Sequence, residues 1–135
     1  VTPRRAVEAQ FRADWATIPA LSRARVVATE RPLDEPTQLT ALIRVKGVKP
    51  CPEAPLSHWN VDMVLALISG HLDADQAQDD LDEAAYAALL YLDATYPHGD
   101  AEFTEWAKAR LACDIPFTVR VKKKDDDPDP ESEAP

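Results

Sequence analysis

The chain has 135 residues, 45% of them hydrophobic, which suits one domain with a real core and is too short for two comfortable ones. Its formal charge is -9, yet residues 125–135 hold six acids and no base, leaving 18 acids against 15 bases before them. So mild an acidity gives no electrostatic footprint for tight binding to nucleic-acid phosphates, and the only basic cluster, Lys122 to Lys124, runs at once into Asp125 to Asp127.

Twelve prolines against three glycines mean that proline sets most of the turns. Cys51 and Cys113 form no CxxC and no metal-ligand spacing, so two reduced thiols are expected unless the fold brings them together. No signal-peptide core and no run of about 18 apolar residues predicts export or membrane insertion.

Thr2 before Pro3 is a helix start, because a hydroxyl caps a free amide and proline suits the first helical position. A helix over Pro3 to Ala16 puts Val7, Phe11 and Trp15, with Ile18 beyond, on one buried side and leaves Arg4, Arg5 and Arg12 on a solvated one. Ala24, Val26 and Ala28 alternate with charged residues in a short strand within Ser22 to Thr29. The turn Glu30 to Pro36 follows.

Thr37 to Leu72 reads as a wide antiparallel hairpin around which the rest is organised. Leu39, Ala41, Ile43 and Val45 share one face of its first strand. In the second, Trp59, Val61, Met63, Leu65 and Leu67 share a face, and Val64, Ala66 and Ile68 make its far end apolar on both sides. Between them Gly47 to Ser57, stiffened by Pro50, Pro52 and Pro55, is expected to project, either as a plain surface loop or as a contact arm towards a neighbouring subunit.

The acids from Asp73 to Glu83 invite a calcium loop, but with Asp73 at position one the turn glycine falls on Gln78 and the bidentate acid on Ala84. They fit better as helix-capping charge. The helix is expected over Asp80 to Asp93, with Leu81, Ala85, Ala88, Leu89 and Leu92 inward; Tyr86, Leu90 and Tyr91, off that stripe, hint at burial against another chain. Ala101 to Asp114 fits a short helix or a strand. Phe117, Val119 and Val121 make a closing strand, and a disordered acidic tail is expected over residues 123–135, after a single domain of residues 1–122.

His58, His71 and His98 stand far apart, the serines have no nucleophile elbow, and no glycine loop can cradle a phosphate. Trp15, Trp59 and Trp106 fall on apolar faces and read as core. No catalytic, cofactor-binding or metal residue is expected, and the chain is not expected to be an enzyme.

The expected fold is α+β, in the order α-β-β-β-α-β-β: a mostly antiparallel sheet of four or five strands with an N-terminal and a second helix packed on it. This order resembles the tail terminator proteins of long-tailed bacteriophages, on Pro3 to Ala16, Arg23 to Thr29, the pair Leu39 to Val45 and Trp59 to Ile68, Leu81 to Leu92, and Pro116 to Val121. The resemblance favours a strand for Lys108 to Cys113. It implies a virion protein, made in the host cytoplasm, that sits as a hexameric ring at the head-proximal end of the tail. Its partners would be copies of itself, the tail tube protein and the head-side connector protein, with no membrane. DNA would pass through the lumen without specific binding, and acids among Glu30 to Glu35, or Glu53, are expected to face that channel. Another phage neck protein, or a small-ligand-binding α+β domain, is the alternative.

Overall fold

A computed structural model describes residues 2–28, 38–71, 73–106 and 110–123. Helix α1 (Pro3–Trp15) begins as its sequence dictates, with the Thr2 hydroxyl accepting from the Arg5 amide and proline in the first turn. Strands β1 (Arg25–Val27), β2 (Thr40–Pro50) and β3 (His58–Ile68) follow, then α2 (Ala74–Thr95), β4 (Glu102–Trp106) and β5 (Arg110–Lys122). They form one five-stranded sheet in the order β1-β2-β3-β5-β4.

The α+β class with an N-terminal helix holds, and three of the four strand pairings are antiparallel. The sheet is nevertheless mixed, because β1 runs parallel to β2, with Arg25 opposite Thr40 and Val27 opposite Leu42. Alternation in a sequence fixes which side chains share a face and says nothing of direction, so this pairing was invisible in it. After α2 the chain is strand over Glu102–Trp106 and from Arg110 onward, with Phe103 opposite Cys113 and Trp106 opposite Arg110, while residues 107–109, where the expected strand begins, lie outside the described residues.

Helix α2 starts earlier than its apolar pattern does. Asp73 caps it by accepting from the Gln76 amide, so the polar stretch ahead of Leu81 is helical as well. The expected turn Glu30 to Pro36 and the tail from residue 124 lie outside the described residues.

Both helices pack on one face of the sheet. Val7, Phe11 and Trp15 of α1 and Leu81, Ala84, Ala85, Ala88 and Leu92 of α2 share a core with Leu39, Ala41 and Ile43 of β2, Met63, Leu65 and Leu67 of β3, and Cys113, Ile115 and Phe117 of β5. The alanines let α2 come close to the strands. Phe11 sits at the centre, stacked on Trp15 at 5.2 Å, edge-on to Tyr91 at 5.2 Å and tilted against Phe117 at 5.7 Å. Truncating so central a ring costs about 3–5 kcal/mol. On the opposite face Leu42, Ala66, Ile68 and Ala112 form a small second cluster with Val27 against it.

Polar contacts lock the helices to each other and to the sheet edge. The Tyr91 hydroxyl donates to Asp14 at 2.5 Å, and that of Tyr96 donates to Gln10. Glu8, buried in α1, accepts from the Ala28 amide at 2.9 Å and from Arg5 and Arg12, while Arg12 also donates to the Val26 carbonyl. Arg5 and Arg12 therefore hold the carboxylate that clamps α1 to the end of β1.

Candidate assembly surface

The central strands outrun the helices. Past Val45 the sheet continues as a three-stranded arm, in which Val48, Val61 and Val119 stand in one row and Pro50, Trp59 and Val121 in the next. These side chains share the core face because of a bulge: Val45 pairs with Met63 and Gly47 with Asp62, leaving Lys46 as the extra residue between them. By plain alternation Val48 belongs on the polar face. The one extra residue moves it to the apolar one, and the isolated Gly47 inside a strand pattern was the available signal.

Helix α1 reaches only the root of the arm. Thr2, Pro3 and Arg4 there form an apolar groove of about 200 Å³ with Val45, Val48 and Val61. Beyond it no described element covers the sheet, and Val48 is 59%, Leu56 92% and Trp59 37% exposed. Trp59 thus lies on the expected apolar face but outside the core, whereas Trp15 is fully buried.

The loop at the tip is shorter than its prolines imply, because β2 runs on through Pro50. Only 51–57 connect the strands, and β5 ties them down. Arg120 donates to Glu53 at 2.8 Å, the Lys123 amide donates to the Ser57 carbonyl at 2.7 Å, and the Lys123 ammonium donates to Pro55 while standing 4.0 Å over the Trp59 ring. Buried Cys51 donates its thiol to Glu53 at 3.3 Å. That thiol bond, with the loop's own backbone and Arg120, holds the Glu53 carboxyl below its ordinary range. Glu53, one of the acids expected to face a channel, is exposed and engaged with Arg120; Glu30 to Glu35 lie outside the described residues.

The second surface is the outer stripe of α2. Asp79, Glu83, Tyr86, Leu90 and Asp93 follow one another at helical spacing and are all exposed, Tyr86 by 68% and Leu90 by 71%. Tyr91, grouped with them in the sequence, instead turns inward onto Phe11 and Asp14. From Ala74 to Thr95 the helix carries six acids and no base.

The histidines stay apart in the structure. His58 contacts the Ser57 hydroxyl, His71 is exposed, and His98 pairs with Asp93 at 2.5 Å. The Asp93 carboxylate and then the Gly99 carbonyl raise the His98 pKa above its ordinary 6.5. The cysteines are both free and buried, and burial pushes the Cys113 thiol up to about 11, which leaves it a poor nucleophile. An open cleft of about 530 Å³ lies between Tyr96 and Pro97 on one side and Asn60, Thr118 and Arg120 on the other. Among the described residues no group of three or more His, Cys, Asp or Glu could hold a metal ion, and no helix is long and apolar enough to cross a membrane.

No protein-family model matches the chain, and no curated protein sequence matches it.

Proposed function

We propose that this chain is a tail terminator of a long-tailed bacteriophage: a structural protein that caps the finished tail tube as a ring, ends its polymerisation and offers a surface to the head-side connector. The observation that carries the reading is the arm, an extension of the central strands that takes the core's apolar face out to Val48 and Trp59 and ends in exposed Leu56. An apolar face exposed by a built element, tied down at its tip, suits assembly with other chains. The α-β-β-β-α-β-β order of the resembled family supports it as well. In such a ring a net acidic chain would let DNA slide through the lumen without sticking.

Light scattering of the purified chain across concentration tests this, followed by negative-stain images. A discrete six-copy mass, rings in the images, and arrest of tube growth when the protein is added to polymerising tail-tube protein are the expected results. A stable two-copy species that forms no rings even with tail-tube protein present overturns the reading. A rise in melting temperature with a small ligand in the Arg120 cleft would then favour a binding domain.

A further inference from the structure

Among the described residues, exposed apolar side chains gather on α2, beside acids, and on the arm, whose apolar face carries the cations Arg4 and Lys123. Tyr86 and Leu90 stand on α2, which has six acids and no base, with Asp79, Glu83 and Asp93 along the same exposed stripe. The arm has Val48 and Trp59 on its apolar face and Leu56 at its tip, while Lys49, Arg120 and Lys122 lie on its other face, where Lys49 pairs with Asp62 and Arg120 with Glu53. On the apolar face itself Arg4 lines the groove and Lys123 stands over Trp59.

We infer that copies of this chain dock head to tail, the apolar face of the arm in one copy receiving Tyr86 and Leu90 of α2 from the next. Arm against arm would bring base to base, and α2 against α2 acid to acid, so the like-with-like contacts of a two-fold dimer are disfavoured. Arm against α2 pairs opposite charge around an apolar centre. Because the two surfaces differ, each copy keeps one of each free for a further neighbour, and the assembly grows past two copies, closing as a ring where the rotation between copies permits. The contact is by face and not by added strand. Along the outer edge of β2 the Lys46 bulge, Lys49 and Pro50 all discourage strand pairing. The inference deepens the ring proposed above and rests on that reading only for its closure at six copies.

The test is sedimentation velocity of the full chain over a concentration series, with Val48→Asp on the arm and Leu90→Asp on α2. Both residues are more than half exposed, so both variants are expected to fold, as circular dichroism melts would verify. Leu56→Asp replaces the arm variant if Val48→Asp melts early. The wild-type chain is expected to form species larger than two copies, weakened by salt, and each variant to associate about a hundredfold more weakly. Mixed together, the two variants should form a two-copy complex and nothing larger, since they retain one intact contact between them. A wild-type chain that stays monomeric or stops at two copies, variants that assemble like wild type, or a mixture that stays monomeric would each overturn the inference. Rings that survive both substitutions remove this contact and leave the tail-capping reading standing. Head-to-tail assemblies that never seat on tail tubes do the reverse.

Discussion

Glu8 shows how much one side chain can hold in this molecule. Burial alone would raise its pKa, but the Ala28 amide, the Arg5 hydrogen bond and the charges of Arg12 and Arg5 outweigh burial and bring it below 4.5. A carboxyl depressed in the folded state stabilises above its unfolded pKa, and that contribution is lost as pH falls through the folded value. Glu8→Gln is therefore expected to lose about 1–3 kcal/mol in urea unfolding at neutral pH, with a gap to wild type that narrows below pH 4.5. His98 has the opposite sign. Its raised pKa makes the Asp93 contact fully stabilising below 6.5 and lost as pH rises through the folded value, and Asp93→Asn should return the imidazole's NMR titration midpoint towards 6.5. The sequence showed Arg5 and Arg12 as a solvated face but not the glutamate they grip, because that role depends on an amide twenty residues away.

At the scale of elements, the bulge decides what the arm presents. Lys46 is the unpaired residue, so its deletion leaves every pairing in place and should keep near wild-type stability and Trp fluorescence. Asp62, paired on both sides with Gly47 and Thr118, has no such slack. Its deletion should turn Val61 and Trp59 to the other face and sharply lower the melting temperature, as circular dichroism would record. Periodicity made both helices, the hairpin and the last strand legible, because each buries one face. It could not reveal the parallel direction of β1, which no face pattern encodes, nor the first turns of α2, where capping by Asp73 replaces apolar spacing. It left 101–113 open because Glu102, Phe103, Thr104 and Glu105 are all exposed, so no buried face enforces alternation there.

For the whole molecule, the charge of -9 conceals an uneven distribution, because α2 carries six acids and no base and residues 125–135 carry six more. Such a chain is expected not to be retained on double-stranded DNA at low salt. Retention that weakens as salt rises, seen in a gel-shift titration, would contradict a lumen that DNA slides through. The candidate assembly surface was half legible: Tyr86 and Leu90 stood off the helix stripe in plain view, whereas Val48 was hidden behind the bulge.

The arm also has a mechanical character. It is one sheet thick, and its backbone hydrogen bonds run across the strands. A pull along the strands loads several of those bonds together in shear, while a push on its face meets only the bending stiffness of a single layer. The arm is thus a strap, stiff in length and compliant in tilt. A neighbour docked there, as inferred above, would be able to rock without being released.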